Sequence, residues 1–155
     1  MSDFYVSLIP TDVNWQPTKE AATEVETYVR RVFPDPDGVQ QDVTVEFYDR
    51  ITVVDAGENI RQITCPRCDQ NIPLDWYGDL VEETEGEFDS LIVTVPCCET
   101  AVALDTLTFD WPSGFARFEI AVANPARTEY TFTRDEISAV EAILGHQLRQ
   151  IVAHI

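Results

Sequence analysis

Four cysteines in two tight pairs are the residues best suited to chemistry. In "ITCPRCDQ" (63–70) Cys65 and Cys68 flank Pro66 and Arg67, and in "VPCCET" (95–100) Cys97 and Cys98 are adjacent. A short Cys-x-x-Cys turn can aim two thiolates at one ion, and a tetrahedral set of soft donors suits zinc. The second pair is less regular. Adjacent residues of a flat strand point to opposite faces, so Cys97 and Cys98 cannot both ligate from ideal β geometry. A local turn at Pro96 would bring both thiolates round. Otherwise one of them ligates, and His146, His154, Asp69, Glu99 or water completes the set. The expected cofactor is zinc, held by Cys65, Cys68, Cys97 and Cys98.

Two other uses of the thiols compete. A thioredoxin-like redox pair places its first cysteine at a helix N-terminus, which lowers the thiol pKa. Here Pro73 follows Cys68 closely enough to interrupt such a helix early, and the βαβ context before it is missing. Four unligated core thiols are the blander alternative, since free cysteine packs as a small apolar residue. The tight pairing of all four argues against it. No nucleophile elbow, phosphate-cradling glycine loop or His-Glu-x-x-His helix is present, so enzymatic activity has no positive support. The enzymatic alternative is a zinc enzyme in which one coordination position stays open for water.

The second candidate site is a run of acids. Asp75, Asp79, Glu82, Glu83, Glu85, Glu87 and Asp89 lie within 75–89 without one basic residue, and Trp76 and Tyr77 lie among them. Read functionally, this is an acidic lobe for a basic protein partner, with Trp76 and Tyr77 as anchors because aromatics are enriched at interface centres. Read plainly, it is a solvated face. The whole chain leans the same way, at a net charge of −18 from 28 acids and ten basic residues. That balance argues against gripping nucleic acid through phosphates, which needs a basic stripe. Lys19 is the only lysine, a bias that drift in a salt-adapted proteome would also produce.

Elements that could position these residues follow from periodicity. Residues 4–9 read as a strand, and 18–33 as a helix with Ala21, Ala22, Val25, Tyr28, Val29 and Val32 at helical spacing, stopped before Pro34. Val43, Val45 and Phe47 alternate as in a half-buried strand. "ITVVD", a turn at "AGEN" and "IRQIT" then form a meander that delivers Cys65 at its tip. Residues 74–89 are ambiguous: Trp76 with Leu80 and Tyr77 with Val81 favour a short helix that Gly78 weakens. "LIVTV" is a strand into Cys97, "WPSG" a turn, and "FARFEIAVANP" a strand with Phe118, Ile120 and Val122 on one face. Trp111 is expected in the core and Arg117 is expected to pair with an acid. Thr133 and Glu136 have capping-box spacing, and Ile137, Val140, Leu144, Leu148 and Ile151 extend a helical stripe to the chain end. No internal repeat is visible.

The order predicts an α+β fold: a mainly antiparallel sheet packed by an N-terminal and a C-terminal helix, with a zinc-ribbon-like metal site. One domain over 1–155 is expected, with 65–98 as its metal-binding segment. "CPRC" is similar to the knuckles of zinc-ribbon proteins, which often place glycine where this chain has Asp69; the resemblance implies a structural metal. The set "CPRC", "PCC", "WPSGFARF" and "LRQIVAHI" also resembles a bacterial protein family, which implies one integral domain and carries over no function. No run is apolar for the length that crosses a bilayer, and no export signal is seen, so a reducing cytoplasm is the expected compartment. The expected function is that of a non-enzymatic, zinc-stabilised acidic binding module, an inhibitor of immunity type or an adaptor.

Overall fold

Two long runs of alternating residues build the centre of the sheet. The computed structural model describes residues 3–55, 60–111 and 113–154. In it β1 (Phe4–Pro10), β2 (Asp42–Asp55), β5 (Glu87–Phe88), β9 (Ser113–Ala123) and β10 (Leu148–His154) form one antiparallel sheet in the order β10-β1-β9-β2-β5. Val6, Leu8, Val43, Phe118, Ile120 and Val122 are buried on one face of it, beneath α1 (Lys19–Val32) and α3 (Arg134–Leu144). Period-2 alternation on β1, β2 and β9 therefore meets the helical stripes of Ala22, Val25 and Val29 and of Val140 and Leu144. The α+β architecture, with a helix from each end of the chain on an antiparallel sheet, follows the sequence pattern.

Local signals explain where the helices begin. Thr18 caps α1 by accepting the Ala21 N–H at 3.1 Å, and Phe33 closes it just before Pro34. Thr133 and Glu136 complete the capping box of α3, satisfying one exposed donor each at 3.2 and 2.9 Å. The ambiguous segment is a helix, α2 (Leu74–Thr84), entered from Pro73.

Three expectations are corrected. The apolar stripe at the C-terminus is not one helix: α3 stops at Gly145, and Leu148 and Ile151 belong to β10. Leu148 joins the core beneath the helices and Ile151 the opposite face, because a three-residue step reverses sides on a strand. Nor does β2 lead into a meander. It pairs with β9 and β5, whereas β3 (Ile63–Thr64) pairs with β4 (Asn71–Ile72) and β8 (Thr108–Phe109) in a separate small sheet. Arg117 donates its Nε–H to the Tyr48 carbonyl at 3.2 Å, where β2 loses register between Phe47 and Thr52, and pairs with no acid among the described residues. The "AGEN" turn lies outside the described residues, as does Pro112 of "WPSG".

Candidate metal centre

The two cysteine pairs are carried by two short hairpins. β3 and β4 flank Cys65 and Cys68, and β6 (Ile92–Thr94) and β7 (Ala101–Ala103) flank Cys97 and Cys98. Residues 96–98 form a turn and not a strand, so Pro96 removes the alternation that would have sent the adjacent thiols apart. All four sulfurs lie within 4.8 Å of one another, and those of Cys65 and Cys98 are 3.9 Å apart. A tetrahedral Zn–S distance of about 2.3 Å places sulfurs about 3.8 Å apart. Four free, soft donors at these separations could hold one metal ion.

The thiols share a hydrophobic cluster with Ile63, Ile72, Tyr77, Leu91, Val95, Val102, Leu104 and Leu107. Cys65 is fully buried, and the other three are half-buried at the cluster's rim. Burial alone would raise the Cys65 thiol, but the backbone N–H groups of Cys68 and Arg67, with the Cys97 and Cys68 thiols, bring it down to about 7. The Arg67 N–H lies 3.3 Å from that sulfur. Cys97 is pushed up to about 12, first by burial and then by the thiols of Cys68, Cys65 and Cys98, which favour its protonated form. Cys65 therefore gives up its proton before Cys97.

His146 does not join the group. His146 stacks on Trp15 at 4.4 Å between ring centres, and the cluster among the described residues contains cysteines alone. The His154 side chain lies outside the described atoms. Asp69 and Glu99 each follow a turn with positive φ, 60° and 56°, and are exposed. Asp69 thus adopts a left-handed backbone conformation that favours glycine. A depression beside the first turn is lined by Pro66, Arg67, Ile92, Ala101, Val102 and Thr106, with no carboxylate or imidazole for acid–base work. A separate cavity of about 210 Å³, bordered by Tyr5, Ser7, Val54, Glu119 and Ile151, opens elsewhere on the sheet. There Ser7 and Tyr48 each donate a 2.6 Å bond to Glu119, and burial followed by that bond holds the Tyr48 phenol far above its usual range.

The acidic residues fall on α2 and its exit. Asp75, Asp79, Glu82, Glu83, Glu85 and Asp89 are exposed, and Glu87 is half-buried on β5. Among the described residues, the run has beside it in space a cation that the sequence interval lacks: Arg50, whose Nε lies 2.9 Å from Asp89. Trp76 is half-buried against the thiol cluster. Tyr77 is only 5% exposed and meets Phe109 edge-on at 5.4 Å, so it packs the core and presents no surface to a partner. Trp111 packs at the margin of the same cluster, as expected.

No family model matches the chain, and no curated protein or solved structure matches it. No helix among the described residues is long and apolar enough to cross a membrane.

Proposed function

We propose that Cys65, Cys68, Cys97 and Cys98 bind one zinc ion as a structural clip. On this reading the protein is a non-enzymatic binding module that covers a basic protein partner, as an inhibitor or an adaptor. The donor chemistry supports zinc. So does the length of the strands around it, two or three residues each, since hairpins that short do not stand alone in water. Bound metal would supply the closure that so few ladder bonds cannot. Four free thiols also suit a reducing cytoplasm. The alternative, a zinc enzyme with one open position, draws no support from the depression beside the first turn, which lacks an acid or base.

One observation carries the partner reading: the placement of acids on α2. Glu82 and Glu83 lie in its last turn and Glu85 is its C-cap, with no basic residue in that turn. Negative charge at a helix C-terminus opposes the macrodipole and costs about 0.3–1 kcal/mol per group. A face selected for folding alone would reverse these charges. An acidic face that works against its own helix supports recognition of a cation-rich surface through Asp79, Glu82, Glu83, Glu85 and Glu87, with Trp76 on the same helix.

Capture of the partner from the host at low and high salt tests this reading, followed by binding kinetics on the purified pair. Replacing Glu82, Glu83 and Glu85 with Gln is expected to slow association about tenfold at low salt while dissociation changes little. The same variant should gain about 1–3 kcal/mol in stability. Binding that ignores salt and these substitutions would place the contact on another face and overturn the proposal.

A further inference from the structure

The two cysteine turns are one piece of backbone used twice. Cys65 N–H donates to the Gln70 carbonyl at 3.0 Å, and Val95 N–H donates to that of Thr100 at 3.1 Å. Asp69 N–H returns to the Cys65 carbonyl at 3.0 Å, and Glu99 N–H to the Val95 carbonyl at 2.9 Å. Asp69 and Glu99 share the left-handed φ, and Pro66 and Pro96 share the position that opens each turn. Each turn is flanked by its own antiparallel pair, β3 with β4 and β6 with β7.

Matching the turns residue by residue places Cys68 with Cys98, Cys65 with Val95, and Arg67 with Cys97. Cys65 and Val95 are both fully buried in the same cluster. Arg67, by contrast, is exposed. The inner ligand position of the second turn is therefore filled by a branched apolar side chain. The thiol comes instead from the turn's third position, which in the first turn points outward.

We infer that Val95 occupies a vacant ligand position and that Cys97 supplies the fourth thiolate out of turn, as the ligand an incoming thiol displaces first. This inference rests on the reading of the cluster as a metal site. Three contacts support it. Cys65 is held by the Arg67 N–H at 3.3 Å, whereas the corresponding amide of the second turn, that of Cys97, has valine and no sulfur at the matching place. Val95 closes the inner side, so a competitor has access only from the rim. Cys97 is half-exposed on that rim. The class of ligand such a site would take is a thiol, with a donor as soft as the one it replaces.

The test uses the full chain loaded with Zn(II) or Co(II), and the probe is 2-mercaptoethanol with a colorimetric chelator. Cys68→Ser and Cys98→Ser are expected to lose the metal. Cys97→Ser should keep one metal per chain and release it faster on the order of tenfold, with thiolate-to-Co(II) absorption reduced by the one thiolate lost. The double variant Val95→Cys/Cys97→Ser moves the thiol to the inner position, and should restore that absorption and release metal no faster than the unaltered protein. It also keeps the test sharp if Cys97→Ser alone folds poorly. A double variant that fails to restore that absorption, or a Cys97→Ser variant as empty as Cys68→Ser while the unaltered protein binds, overturns this inference alone. An unaltered protein that takes up no metal overturns it together with the metal reading beneath it.

Discussion

Every N–H of the Arg127 guanidinium has an acceptor. Nε donates to the Glu129 carbonyl, Nη1 to Val32 O at 2.8 Å and Glu136 Oε2 at 2.7 Å, and Nη2 to Thr131 O and Glu136 Oε1, both at 2.7 Å. Its plane lies over the Phe33 ring, 3.6 Å from the centroid. One side chain thereby joins the last turn of α1 to the first turn of α3. The pair is 16% and 14% exposed, so losing the cation strands a nearly buried carboxylate. Arg127→Ala is expected to cost about 3–5 kcal/mol. Arg127→Lys should recover less than half of that, because a point charge cannot replace a planar fork. The bond from Arg127 is the first cause that holds the Glu136 carboxyl below the usual carboxylate range. A depressed folded-state pKa gives stability that is full above the unfolded value of about 4.3, and is lost as pH falls through the folded value. Urea titrations at pH 6 and pH 3 check this against Glu136→Gln, which lacks the titrating group. The unaltered protein should lose more stability between the two than the variant does.

Element boundaries were legible where a side chain writes them and hidden where the backbone does. Pro34 and the Thr133–Glu136 pair announced two helix ends. The end of α3 was obscured because Leu148 and Ile151 continue the spacing set by Leu144. Only the pairing of β10 with β1 reveals a strand there. Gly145 marks the break, with φ at 78° and its N–H on the Glu141 carbonyl at 2.7 Å. A Cβ there would meet no atom within 4 Å, so Gly145→Ala isolates the backbone term. It should cost about 1–2 kcal/mol, and Gly145→Asn less, read as shifts in denaturant midpoint. The metal centre divides in the same way. "CPRC" was readable from spacing, but the twin turn was not, because Val95 breaks the cysteine pattern. Asp69 and Glu99 also stand where glycine would have advertised a left-handed residue. The turn at Pro96 then answers how two adjacent thiols face one place.

At the scale of the whole molecule, the two larger hydrophobic clusters divide the work. One lies between the five-stranded sheet and α1 with α3; the other gathers the thiols, α2 and the short strands. β9 joins them, with Phe118, Ile120 and Val122 in the first and Phe115 in the second, and β2 does the same through Val43 and Ile51. The first cluster rests on long ladders: seven residue pairs join β1 to β10 alone. The second has pairings of only two or three. If a metal closes the second cluster, stripping it should open that half first, because local opening follows the fewest ladder bonds and contacts. Hydrogen exchange with and without a zinc chelator measures this. Protection should fall across 63–72 and 92–104, while β1, β10 and the middle of β9 keep theirs. Asp110 accepts the Arg61 N–H at 2.9 Å, a tie within the second half, beside the pairing of β3 with β8, that should open with the turns. Uniform loss of protection along the chain would instead show that 65–98 is integral to one cooperative unit. No change anywhere would remove the metal from the account of stability.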